Sequence, residues 1–458
     1  MSGAAEIYIE GSPAERRAGH LDADGRAVAI DIDRATRPRL SGAVYLARVR
    51  SVDKRMGGAF LDLGIGLHVL LAKAREVEEG DTLLVQVARD AHDDKGPAVV
   101  RQIVLWGRYV ALQPGRGGGL QCARSLGQGK RRAEALAAAE SAIQDPTDLI
   151  LRGPAASVPG EVLAEEAARL RALWSDLQSR KSAAKAPALL MEAPGFVDFC
   201  LREAGPDARI ALDDRLDFAA AEALVRERYP DLAEGLAFHQ STTPIFDAAG
   251  LSDILEEALG TEVPLTGGGR VTIQETKALT AIDVDMGSGE AGATMKDEAL
   301  HRLNRRAADE IARQILLRRI SGLIVIDFAG VKQRGKMKAL LDMLRSRLKG
   351  GEGHADVLGI SAAGLVEITR QRIGPSLAQL CVSPVQALKP APDAEASDIL
   401  RRALRLKGAG KPVADLSDAA AALFKGPLKP ALAETERRLG QPLTLCPGAP
   451  RPDIRMEA

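Results

Sequence analysis

The run ALTAIDVD ends in Asp283 and Asp285, and the run GLIVIDF carries Asp327 near its end. Both are apolar, β-branched stretches of strand length. Parallel pairing would bring the three carboxylates to the carboxyl edge of one sheet, where α/β folds place their ligands. Carboxylates gathered there repel one another unless a hard cation neutralises them. Mg²⁺ takes one or two carboxylates, keeps several waters and accepts phosphate oxygens; Mn²⁺ is the alternative ion. The chemistry implied is phosphoryl hydrolysis, in which the ion lowers the pKa of a bound water and stabilises charge developing at phosphorus. The other reading of each Asp is a solvated strand cap.

These strands need a scaffold. Between them lies a helical pattern with apolar residues at Leu300, Leu303, Ala307, Ile311 and Ile315 and a capping-box signature at Thr294 and Asp297. VTIQETKALTAIDVD and GLIVIDF therefore read as two strands flanking one helix. Upstream, EIYIEG and RAVAIDID around the turn signal DADG predict a hairpin. AVYLARVRSV, GGAFLDLG, LHVLL, DTLLVQV and PAVVRQIVLW predict five strands of a small closed barrel. A barrel that brings Arg48, Arg50, Lys54, Arg55 and Phe60 together reads as an OB-fold with a stacking face for bases; the other reading is a solvated basic face and a core Phe. Helices are expected near 131–143 and 161–179, and a β-α-β unit between about 208 and 240. PVQALKPAPDAEA at 384–396 reads as a linker before a last compact segment.

Composition sets limits. At 458 residues several domains are expected. Lys plus Arg and Asp plus Glu both total 62, so contact with a polyanion must come from a local basic groove. Cys122, Cys200, Cys381 and Cys446 form no C-x-x-C, which argues against a disulfide framework and fits a reducing compartment. No run approaches a membrane span and the N-terminus lacks a secretory pattern, so a cytoplasmic protein is expected.

Three blocks in order, ALTAIDVD, RRAADEIARQILLRRISGLIVIDF and GLVEITRQRIGPSL, closely resemble the catalytic core of the bacterial ribonuclease E/G family. VYLARVRSVDKRMGGAFLDLG and KGPAVVRQIVLWGRY resemble the start and end of that family's S1-type OB domain, so the resemblance covers nearly the whole chain. It implies an α/β multidomain fold. An RNase H-like domain (1–37 and 186–260) would be interrupted by an S1-type OB barrel (38–106) and a 5′-sensor-like region (107–185). A DNase I-like catalytic α/β domain (261–380), a degenerate zinc-link or linker (381–396) and a small C-terminal α/β domain (397–458) would follow. The implied activity is single-strand-specific, Mg²⁺-dependent endoribonuclease cleavage that leaves 5′-phosphate and 3′-hydroxyl ends in RNA processing or decay. A non-catalytic or weakly catalytic RNA-binding relative acting in an RNA-processing complex is the alternative.

Position by position, the family's metal-binding aspartates fall on Asp283 and Asp327, and its usual Asn on Asp285, the third catalytic candidate. The resemblance gives RNA-holding roles to Phe60 and Lys95 and sets Val69 where the family has a second aromatic. Its 5′-phosphate pocket falls on Arg152, Gly107 and Ala111, with Gly153 replacing a Thr. ISAAG at 360–364 lacks an arginine and an aromatic that the family has. The linker keeps Cys381 alone where the family has two cysteines, so no structural zinc is expected and a homo-oligomer would need apolar contacts.

Overall fold

The computed structural model describes residues 4–55, 57–74, 76–92, 95–286, 293–330, 334–349, 353–382, 392–449 and 452–457, with the side chains of 293–297 and 334 outside that description. The expected capping box at Thr294 and Asp297 therefore lies outside the described residues. The chain forms two compact units, Met1–Val382 and Ser383–Ala458.

β1 (Ala4–Gly11), β2 (Glu15–Leu21) and β3 (Ala27–Arg34) form an antiparallel meander rather than the expected hairpin. The additional strand, ERRAGHL, has no β-branched residue to announce it. It packs closely because Gly19 has no side chain: a Cβ there would lie 2.4 Å from Leu251. β4 (Val44–Asp53), β5 (Gly58–Asp62), β6 (Val69–Leu71), β7 (Thr82–Arg89) and β8 (Ala98–Val100) follow in the order β4-β5-β6-β8-β7, and β7 pairs back onto β4. The result is the expected closed five-stranded barrel, filled by alternating residues such as Ala47, Val49, Leu61, Val69, Val85 and Val87.

PAVVRQIVLW divides between two sheets. The Gln86 amide clamps the chain where it leaves the barrel, accepting the Val104 N–H at 2.9 Å and donating to the Val104 and Gly42 carbonyls at 3.0 Å each. β9 (Leu105–Trp106) then joins β10 (Val110–Leu112), β11 (Gln121–Cys122) and β12 (Leu149–Leu151) in the order β11-β12-β10-β9. The expected helices form at Lys130–Ala142 and Gly160–Ala183. β13 (Ala188–Met191) returns to the barrel beside β4. β14 (Ala204–Leu212) and β15 (Leu236–Phe238) then complete the first sheet in the order β15-β14-β1-β2-β3, with parallel pairing at β15-β14-β1. The helix between them starts at Asp214, whose carboxylate accepts the N–H groups of Leu216 and Asp217.

The next sheet contains β16 (Glu262–Pro264), β17 (Arg270–Glu275), β18 (Thr280–Asp285), β19 (Gly322–Asp327), β20 (Ala355–Ile360) and β21 (Val366–Arg370), in the order β16-β17-β18-β19-β21-β20. VTIQETKALTAIDVD, expected as one strand, is a hairpin. Thr276 Oγ1 accepts the Leu279 N–H at 3.2 Å and donates to the Leu279 carbonyl at 2.7 Å, turning the chain within ETKAL. Helices Ala293–Leu317 and Arg334–Leu348 both bury their apolar stripes against one face of this sheet. Leu303, Ala307, Ile311 and Ile315 of the first and Leu340 and Leu344 of the second meet Ile273, Ile282, Ile324, Ile326 and Ile368. The opposite face has no helix of this cluster on it.

In the second unit, β22 (Lys411–Leu416) lies between β23 (Thr444–Pro447) and β24 (Asp453–Glu457). Helices Pro392–Ala403, Asp418–Lys425 and Lys429–Leu439 complete its core. PDAEA, expected as the end of the linker, opens a helix instead. Pro392 suits a first helical turn, Asp393 and Glu395 complement the dipole there, and Glu395 accepts the Ser417 N–H at 2.6 Å.

Candidate active site

β18 and β19 are the parallel pair of their sheet, and Asp283 stands in register with Asp327. Alternation turns Ile282, Val284, Ile324 and Ile326 toward the helices and leaves Asp283 and Asp327 exposed on the open face. Neither carboxylate has a hydrogen-bond or ion-pair partner among the described residues. Asp285, one rung further on, differs: the Arg270 guanidinium donates to its carboxylate at 2.9 Å. No cluster of three or more His, Cys, Asp or Glu donors forms among the described residues. Two free carboxylates on an open face, with the third turned to an arginine, match an ion that takes few protein ligands and keeps its waters. Only the hairpin sets Arg270 opposite Asp285; a single strand through VTIQETKALTAIDVD gives Arg270 no place at the site.

On the barrel, Phe60 is half-buried on the outer face of β5, opposite Ser51 of β4 and Leu70 of β6. Arg48 and Arg50 are exposed on the same hairpin, with Arg50 paired to Asp62. Val69 does not share this face; it is wholly buried inside the barrel. The outward residue beside Phe60 is Leu70, and Leu70 is in turn registered with Ala98. Period-two alternation along HVLL was the available signal. Lys95 is exposed in the turn before β8. Its neighbour Gly96 lets that turn approach β6, since a Cβ there would lie 1.7 Å from the His68 carbonyl oxygen.

The third group is only partly assembled. Arg152 donates to the Gly107 carbonyl and to Glu203, both at 2.6 Å, and its guanidinium stands 5.4 Å from the centre of the half-exposed Trp106 ring. Arg152 and Gly107 therefore meet, but the guanidinium already has a carboxylate partner. Ala111 is wholly buried opposite Trp106. Gly107 has an internal reason to be glycine: Glu166 fills the space beside it and accepts the N–H groups of Arg108, Tyr109 and Val110 at 2.9, 2.7 and 2.7 Å. Burial, opposed by these donors, pushes the Glu166 carboxyl above its usual range. Arg108, fully buried, ties this region to the start of β14 through the Ala204 and Gly205 carbonyls, and to the segments flanking that strand through the Leu201 carbonyl and Asp231.

The fold defines a class of mixed α/β proteins with a closed five-stranded barrel, here with a registered carboxylate pair on an open sheet face. The sequence comparisons narrow that class. The profile of the Ribonuclease E/G family matches residues 104–373. The chain is 29% identical over 401 residues to Ribonuclease G of Escherichia coli K12, covering 81% of each chain. It is 30% identical over 360 residues to Ribonuclease E of Nostoc sp., covering 74% of this chain and 52% of that one. To Ribonuclease E of Haemophilus influenzae it is 28% identical over 378 residues, covering 76% of this chain and 40% of that one. This chain belongs to the Ribonuclease E/G family. No helix among its described residues is long and apolar enough to cross a membrane.

Proposed function

We propose that the protein is a cytoplasmic, metal-dependent endoribonuclease that hydrolyses single-stranded RNA to 5′-phosphate and 3′-hydroxyl ends in RNA processing or decay. Family membership supports ribonuclease action. The observation that carries the finer reading is the registered pair Asp283 and Asp327, two exposed carboxylates without a protein partner among the described residues. Mg²⁺, or Mn²⁺ in its place, suits this hard oxygen donor set, and when bound it would supply a Lewis acid for the phosphoryl group and a water of lowered pKa. Asp283 and Asp327 hold the position from adjacent strands whose ladder and underlying helices fix their separation.

The barrel, read as an S1-type OB domain, offers Phe60 as a base-stacking face and Lys95 as a cation for the backbone. Arg152 is the proposed contact for a 5′-phosphate. The sheet bearing the aspartates is read as the DNase I-like catalytic domain, and the first sheet as the RNase H-like domain.

A second reading, a non-catalytic RNA-binding relative, is favoured by the engagement of Arg152 with Glu203. One experiment separates the two: purified protein is incubated with a 5′-labelled A/U-rich oligonucleotide, with and without Mg²⁺. The enzyme reading expects Mg²⁺-dependent cleavage that falls by orders of magnitude in Asp283→Asn or Asp327→Asn while oligonucleotide affinity persists. Binding without cleavage at any Mg²⁺ or Mn²⁺ concentration would leave the second reading.

A further inference from the structure

The open face of the aspartate-bearing sheet is acidic. Its outward positions carry Glu262 on β16, Asp283 and Asp285 on β18, Asp327 on β19, Asp356 on β20 and Glu367 on β21. Among the described residues of these six strands, Arg270 on β17 is the one basic side chain on that face. Arg370 on β21 points the other way, buried and donating to the Ile315 and Ile320 carbonyls. A polyanion is repelled by such a face except where cations stand on it. One divalent ion cancels the charges of Asp283 and Asp327, and Asp285 adds a third negative charge beside them.

Arg270 answers that charge. It stands in register with Asp285, and its Nη2 donates to Asp285 Oδ2 at 2.9 Å. Its Nη1 lies 3.9 Å from Glu262, and half of the side chain is exposed, so part of the guanidinium fork faces solvent. Two residues along β17, Thr272 is in register with Asp283. The Arg270 rung thus adjoins the rung that carries the aspartate pair, on the same face. An arginine fork matches phosphate geometry, and the carboxylate behind it restricts its rotamers.

We propose that Arg270 contacts a backbone phosphate of the bound RNA beside the cleavage site, and that Asp285 is a positioning residue that holds this guanidinium and is not a metal ligand. The inference rests on the metal-dependent ribonuclease reading given above. It makes the Asp285–Arg270 pair a single unit, in which the carboxylate neither adds net charge to the metal position nor opposes the incoming strand.

The test compares wild type with Arg270→Ala, Arg270→Lys, Asp285→Asn, the double variant Arg270→Ala/Asp285→Asn and Asp283→Asn, after thermal unfolding has established that each is folded. Three quantities are read: Mn²⁺ bound at equilibrium by electron paramagnetic resonance, oligonucleotide affinity across a salt series, and kcat and KM with Mg²⁺. Loss of one phosphate contact in Arg270→Ala should lower the slope of log affinity against log salt by about 0.7 and raise KM about tenfold or more, with Mn²⁺ binding retained. Arg270→Lys should recover the slope. The double variant should bind RNA better than Arg270→Ala, because it lacks the carboxylate left uncompensated in the single variant. Asp285→Asn should keep Mn²⁺ that Asp283→Asn loses.

An unchanged salt slope in Arg270→Ala would overturn the phosphate contact. Loss of Mn²⁺ in Asp285→Asn equal to that in Asp283→Asn would overturn the positioning role. Absence of both Mn²⁺ binding and cleavage in wild type would instead defeat the enzyme reading, and the salt slope would still decide the role of Arg270.

Discussion

The Cβ that Gly107 lacks would lie 2.4 Å from the carboxylate carbon of Glu166. The glycine makes room for an acid that satisfies three consecutive N–H groups, at Arg108, Tyr109 and Val110. Gly107→Ala is expected to displace Glu166 and to destabilise the protein by about 1–3 kcal/mol, through crowding and unpaired buried donors. Urea unfolding measures this, and an unchanged midpoint would mean that the Glu166 contact relaxes freely. The loss should precede any effect on RNA and be the same for substrates with either 5′ end.

A similar internal engagement bears on the 5′ end of RNA. Arg152 is bound by Glu203 and by the Gly107 carbonyl, and Gly153 offers no hydroxyl. A terminal phosphate would compete with Glu203 for the guanidinium. Preference for 5′-monophosphate over 5′-hydroxyl RNA is therefore predicted to be modest, since the missing hydroxyl removes about 0.5–1.5 kcal/mol. Glu203→Gln should widen the preference and Arg152→Ala should abolish it. Paired cleavage rates on the two substrates give the answer, and a large preference that survives Arg152→Ala would place the phosphate site elsewhere.

On the barrel, Phe60→Ala is predicted to weaken single-strand binding by about 1–3 kcal/mol by removing a stacking face. Leu70, in register with Phe60, is where a second ring would help, so Leu70→Phe should tighten binding. Val69→Phe should instead cost about 1–3 kcal/mol of stability, because Val69 lies in the packed interior. Equal effects of the two phenylalanines on affinity would contradict the register of β5 and β6.

These contrasts mark what was legible in the sequence. The two aspartate-bearing runs, the barrel strands and the helix stripe from Leu303 to Ile315 follow from periodicity, a local property, whereas the parallel register of Asp283 with Asp327 is long-range and enters the sequence reading as a premise. β2 escaped because ERRAGHL is held by neighbours, with Gly19 making room for Leu251 far along the chain. The turn at Thr276 was hidden by the apolar runs on either side, and with it the position of Arg270 opposite Asp285. Val69 and Leu70 are interchangeable in composition and distinguished only by strand register, where a slip of one residue exchanges core for surface. Glu203 and Glu166 meet Arg152 and Gly107 across long stretches of chain, so no local pattern announces either contact.

The last prediction concerns pH. Asp31 on β3 is buried among His20, whose Nε2 lies 3.0 Å away, Arg39 at 3.5 Å and Arg319, with which it also forms an ion pair. Burial works to raise its pKa, but Arg319, His20 and Arg39 prevail and hold the carboxyl well below the usual range. A depressed folded pKa means that the unfolded chain takes up the proton first. The stabilisation from Asp31 is therefore complete above the unfolded value of about 3.9 and is lost as pH falls from there through the folded value. Asp90 opposes this trend: burial raises its carboxyl despite the Leu40 and Ser41 N–H groups and the nearby Arg39, so its contribution favours the fold at low pH and is lost as pH rises through its folded value. At pH 7, Asp31→Asn is expected to cost about 3–5 kcal/mol, because the buried ion pairs that Asp31 makes with Arg39 and Arg319 are lost. At pH 3 the gap between wild type and Asp31→Asn should be smaller, since the wild type has by then begun to lose what the variant never had. Urea midpoints for both proteins at the two pH values test this, and a gap of equal size at pH 7 and pH 3 would show that Asp31 acts through packing and not through its charge.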